Sequence, residues 1–163
     1  MGFLDIFNKK TTTNQESQEN KTVFVDEVYL IDIPKDWSPY ESDRFRTINK
    51  SKKINFSATN YGKPIDMHNR FTVEELEKEI FVLFDRFVNE GGYEPIDDRT
   101  TGKDFVYQSF KVDGEIQYYY YTFREGQGML IRIYFILKEK GKYNAETKSL
   151  LFSIGESIMT KIA

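Results

Sequence analysis

The sequence predicts an α+β domain, an antiparallel β-sheet with helices packed on its faces. Three observations predict it. Strand-like runs fall in two blocks separated by one strongly amphipathic stretch at 72–90. The later runs are joined by links too short for a crossover, so those strands are antiparallel neighbours. The run 129–137 is apolar on both faces, with Met129, Ile131, Ile133, Phe135 and Leu137 on one and Leu130, Tyr134 and Ile136 on the other. Both sides of the sheet therefore need cover.

Taken in order, Val23–Val25 and Val28–Ile33 are β-rich, and Pro34 ends the second run by removing a ladder donor. Residues 34–39 read as turn chemistry around Trp37, the only tryptophan. Strands follow at Phe45–Asn49 and Ile54–Asn60. In the latter Ile54, Phe56 and Ala58 alternate with polar residues, giving one buried and one wet face, and residues 61–64 close the segment. A helix runs from Thr72 to about Glu90. Thr72 and Glu75 form a capping box, Phe71 and Leu76 flank it as a hydrophobic staple, and Val73, Leu76, Ile80, Leu83 or Phe84, and Phe87 make one apolar stripe. Gly91-Gly92 terminates it. Strands at Asp104–Val112, Glu115–Phe123 and Met129–Leu137 form a meander, its first hairpin marked by Asp113-Gly114. A last helix runs from an Asn144 cap to Lys161, with Leu151, Ile154 and Ile158 on one face.

The chain has 163 residues, which suits one domain over 23–163 preceded by a short amphipathic segment and polar tether over 1–22. It contains no cysteine, which removes thiol nucleophiles, thiolate metal sites and disulfides. One histidine, His68, excludes a multi-histidine metal site. With 23 basic and 26 acidic residues the net charge is -3, so there is no basic excess for nucleic acid. No apolar run approaches the roughly 18 residues that a membrane-spanning helix needs, and the N-terminus does not read as a secretory signal. The expected location is cytoplasmic, with peripheral membrane contact open to the N-terminal segment.

The phrase Tyr29-Leu30-Ile31-Asp32-Ile33-Pro34-Lys35-Asp36-Trp37 runs a hydrophobic strand into a proline–aspartate–tryptophan turn. With the wet-faced strand to Asn60, the long capped helix, the meander and a closing helix bearing Ser153, Gly155 and Ser157, it resembles the PsbP-like fold over residues 28–160. That fold is shared by the photosystem II extrinsic subunit, a Ran-binding nuclear import factor and bacterial DcrB-type proteins. The resemblance implies an α/β/α sandwich and a non-enzymatic module for binding or assembly, and it supplies no catalytic centre.

Candidate functional residues are few. His68, with Asp66 two residues away, is the one imidazole available for acid–base work, and no G-x-S-x-G context accompanies it. Residues 72–99 hold nine acids against three bases, with Glu74, Glu75, Glu77 and Glu79 in the first turns of the helix, where acids complement its dipole. Arg44, Arg46, Lys50, Lys52 and Lys53 form a basic stretch that reads as the solvated face of an edge strand. Gly126-Gln127-Gly128 precedes a strand, which is no phosphate cradle. Tyr118, Tyr119, Tyr120 and Tyr121 read as strand residues with buried rings, because tyrosine favours strands, and they have the composition of a recognition surface as well; alternation sends successive rings to opposite faces. Phe3, Leu4, Ile6 and Phe7, followed by Lys9-Lys10, suit a membrane interface or a groove on a partner.

The sequence therefore points to a non-enzymatic binding or assembly module without cofactor or metal, its partner a protein, with weak membrane contact through residues 1–10 and no nucleic acid. Two rivals are a small-molecule or lipid carrier with a cavity beside the aromatic sheet face, and a hydrolase or isomerase using His68 and carboxylates.

Overall fold

Alternating apolar residues build strands here, and their pairing partners set the layers. In the computed structural model, residues 19–40, 45–49, 54–65, 71–126 and 128–160 are described. The elements run β1 (Asn20–Val25), β2 (Tyr29–Pro34), β3 (Trp37–Tyr40), β4 (Phe45–Asn49), β5 (Ile54–Pro64), α1 (Val73–Asn89), β6 (Glu94–Pro95) and β7 (Thr100–Thr101). They continue with β8 (Phe105–Val112), β9 (Glu115–Gly126), β10 (Met129–Lys140), α2 (Ala145–Glu156) and β11 (Met159–Thr160). An eight-stranded sheet has the order β3-β4-β5-β10-β9-β8-β6, with β7 also pairing β8, and a three-stranded sheet has the order β1-β2-β11. Every pairing is antiparallel, so the α+β class holds.

The large sheet is covered on both faces, as its two-sided hydrophobicity requires. On one face Phe56, Tyr118, Tyr120 and Phe135 pack with Tyr29, Ile31 and Ile33 of β2 and Leu151 and Ile154 of α2. On the other, Val106, Phe110 and Tyr119 meet Leu76, Ile80 and Phe84 of α1. Phe84 is fully buried and its ring lies 5.4–6.2 Å from those of Phe87, Phe110, Tyr119 and Tyr121. The layers are thus α1, the large sheet, and the small sheet beside α2.

The capping box of α1 is formed. The Glu75 amide donates to the Thr72 hydroxyl at 3.3 Å and the Thr72 amide donates to the Glu75 carboxylate at 2.9 Å. Asp113 and Gly114 take φ of 48° and 76°, the left-handed pair that a tight β8–β9 turn requires.

Four expectations need correction. Trp37 begins a strand, because β3 pairs with β4 and so continues the sheet outward. β4 is therefore an interior strand between β3 and β5 rather than an edge. β5 runs on through Gly62 to Pro64, because the longer β10 offers pairing partners along its whole length. The last helix stops at Glu156 rather than Lys161. The Ser157 hydroxyl donates to the Ile154 carbonyl at 2.7 Å and accepts the Asp32 amide at 2.8 Å, and Met159–Thr160 then pair with Leu30 and Tyr29 of β2.

Candidate functional site

The large sheet places three side chains in a row at one end of its α1 face. Leu130 of β10 pairs with Lys63 of β5 on one side and Glu125 of β9 on the other. Two residues further along β10, Arg132 lies on the same face and pairs with Tyr61 and Phe123. The start of α1 stands over this row, held by the Phe71 ring, which meets Phe123 edge-on at 5.2 Å. Between them lies a half-open cavity of about 280 Å³ lined by Lys63, Pro64, Ile65, Phe71, Glu75, Glu79, Glu125, Leu130 and Arg132.

Arg132 ties the cavity together. Its guanidinium donates from Nη1 and Nη2 to both Glu79 carboxylate oxygens, with Nη2 at 3.1 Å, and so joins α1 to β10 through a two-point charged contact. The guanidinium carbon sits 4.6 Å from the Phe71 ring centre and 5.7 Å from that of Tyr61. Its Nε is buried and has no hydrogen-bond partner among the described residues. Lys63 and Glu125 are exposed at the rim, and Lys63 lies 5.6 Å over the Tyr61 ring. Leu130 is buried and supplies the apolar floor.

A second polar cluster lies on the opposite face of the sheet. Asp97 Oδ2 accepts from Tyr107 at 2.9 Å and from Ser109 at 3.1 Å, with the Lys148 ammonium of α2 at 3.6 Å. Burial alone would raise this carboxyl. The hydrogen bonds from Tyr107, Tyr143 and Ser109, together with Lys148, outweigh burial and hold it below the ordinary carboxylate range. The cluster pins the segment between β6 and β7 to β8 and α2. Each of its groups is used inside the fold. Among the described residues there is no group of three or more metal-ligating side chains.

The candidates read from the sequence fare unevenly. Tyr118, Tyr119 and Tyr120 are buried at 0%, 4% and 2% exposure, and Tyr121 is half-buried. They are core residues of a sheet covered on both sides, which corrects their reading as a partner surface. Tyr118 and Tyr120 face α2, whereas Tyr119 and Tyr121 face α1. Burial pushes all four hydroxyls well above the ordinary tyrosine range. The docking residues Phe3, Leu4, Ile6 and Phe7 lie outside the described residues, as do Asp66, His68, Arg44, Lys50, Lys52 and Lys53. Of the helix acids, Glu75 and Glu79 reach the cavity. Lys63, Arg132 and Asp97 were not singled out by the sequence. For Arg132 a signal existed, since it is the one charge within the apolar run 129–137.

The fold and this site define an α+β domain with a small, mixed-polarity cavity between a helix start and a sheet end. No family model matches the chain, and no curated protein does. A solved structure from Bacteroides thetaiotaomicron is similar at 11% identity and a TM-score of 0.45, over 82% of this chain and 45% of that one. This chain thus spans less than half the length of that protein.

Proposed function

We propose that the chain is a non-enzymatic binding module and that its ligand site is the cavity beneath the start of α1. The observation that carries this reading is the half-open concavity itself. About 280 Å³ of space has an apolar floor and charged side chains from the sheet end and α1, close to the lower size limit of small-molecule sites. Arg132 serves as a strut rather than an acid or base, because both of its terminal nitrogens are held by Glu79. The most organised polar cluster elsewhere, at Asp97, is consumed by structural hydrogen bonds. A sequence with no cysteine, one histidine and no nucleophile elbow agrees with binding without turnover. The resemblance to the PsbP-like fold implies the same class.

The test is a thermal-shift screen of small polar metabolites against the wild type and Ile65→Trp, a larger ring at a half-buried position of the cavity wall. A ligand at this site stabilises the wild type and leaves the variant unmoved, provided the variant keeps the native circular dichroism spectrum. Equal stabilisation of both would place the ligand elsewhere.

A further inference from the structure

The charges around the cavity are unequal in their freedom. The Arg132 guanidinium and the Glu79 carboxylate neutralise each other through the two-point contact. Glu75 gives one oxygen to the Thr72 amide of its own helix cap. Lys63 and Glu125 are exposed at the rim, and among the described residues neither side chain has a hydrogen bond or ion pair, Lys63 resting over the Tyr61 ring at 5.6 Å. Both pair in register with Leu130, one from each neighbouring strand, so an opposite charge stands on either side of an apolar floor. Two strand spacings put their Cα atoms about 10 Å apart.

Resting on the reading of the cavity as a ligand site, we infer that it binds a small zwitterion. The ligand carries a primary ammonium at one end, a carboxylate at the other and a short hydrocarbon link between them. The ammonium meets Glu125 with Glu75 nearby, the carboxylate meets Lys63, and the link lies on Leu130. A simple anion is disfavoured, because the cavity's strongest cation is already taken by Glu79 and three carboxylates line the wall. A simple amine satisfies Glu125 but sets its charge against Lys63. An uncharged apolar ligand would cover both rim charges without answering either. A zwitterion pairs each free charge and leaves the net charge of the site unchanged.

The experiment is an amide NMR titration of the full chain with δ-aminovalerate, its N-acetyl derivative and its primary amide, repeated on Glu125→Gln and Lys63→Met. Both substitutions are at exposed rim positions, so the fold is retained and the amide spectrum checks it. The zwitterion is expected to shift the amides of residues 63–65, 125 and 130–132. Removing either ligand charge should weaken binding roughly five-fold, a value set by partly exposed charged contacts. Glu125→Gln should abolish the preference over the N-acetyl derivative, and Lys63→Met the preference over the amide. Equal binding of the three probes, or unchanged preferences in the variants, overturns the zwitterion inference while leaving the cavity reading intact. If no probe moves these amides while another metabolite from the screen does, the inference again fails alone. If nothing moves them, the cavity reading fails with it.

Discussion

Replacing Gly155 by alanine puts a methyl group where α2 packs directly against Tyr120 of the sheet. Its Cβ would stand 2.4 Å from Tyr120 Cζ, 2.5 Å from Cε1 and 2.7 Å from the hydroxyl oxygen. Carbon atoms prefer about 3.5–4.0 Å, so the overlap is about 1 Å or more. The Tyr120 ring has nowhere to go. It stacks on Phe105 at 5.0 Å and on Phe135 at 6.1 Å, and Phe152 meets it edge-on at 5.5 Å. Overpacking of a filled core costs about 1–3 kcal/mol, and this overlap belongs at the upper end. Alanine's better helix propensity returns about 1 kcal/mol. The net expectation is a loss of about 2 kcal/mol, or roughly 4–8 °C in Tm for a domain of this size. Denaturant unfolding should show a lower midpoint at unchanged slope. Tyr120→Leu in the same chain should recover part of the loss, with a favourable coupling of about 1 kcal/mol in a double-mutant cycle. Ser153→Ala, at an exposed position of the same helix, should change stability by only a few tenths of a kcal/mol. A Gly155→Ala variant as stable as the wild type would refute the described approach of α2 to Tyr120.

Three further outcomes follow from single residues. Tyr29 is fully buried and its hydroxyl has no hydrogen-bond partner among the described residues, so Tyr29→Phe should raise the denaturant midpoint by the equivalent of about 1 kcal/mol, and a drop would mean that the hydroxyl is satisfied. Glu27 sits exposed at φ 57° in the β1–β2 turn, where a non-glycine residue is strained, so Glu27→Gly should stabilise by about 1 kcal/mol, measured the same way. Because Asp97 titrates below its unfolded value, its contribution is full above the ordinary carboxylate pKa near 4 and is lost as pH falls through the lower folded value. Asp97→Ala should therefore cost about 1–3 kcal/mol at neutral pH by stranding Tyr107 and Ser109, with the gap to wild type closing in acid, as followed by urea melts across pH.

The alternation of apolar residues made much of the sheet legible. Ile54, Phe56 and Ala58 are buried as their spacing demands, and Tyr118 and Tyr120 oppose Tyr119 and Tyr121. The α1 cap was legible because its signal is local, a hydroxyl and a carboxylate three residues apart. Elements fixed by distant partners were not. Trp37 looks like a turn residue until β4 pairs with its strand, and Met159 continues a helical pattern until β2 offers an edge. For the tyrosine run composition was ambiguous, because tyrosine suits a recognition surface and a buried strand alike, and the cover on both faces decides for burial. The cavity joins residues from three strands and a helix. In sequence, Arg132 breaking an apolar run and the acids Glu75 and Glu79 at the helix start marked its place, without showing that they meet.

The measurement that bears most directly on the account is a map of amide shifts in the labelled full chain as small polar metabolites are added to about 10 mM, enough to reveal millimolar affinity. Binding at the cavity predicts shifts confined to residues 63–65, 71–79, 125 and 130–132, saturating with concentration and absent in Ile65→Trp. Shifts centred on the Asp97 cluster or spread over the small sheet, or none in the cavity at any ligand, would contradict it.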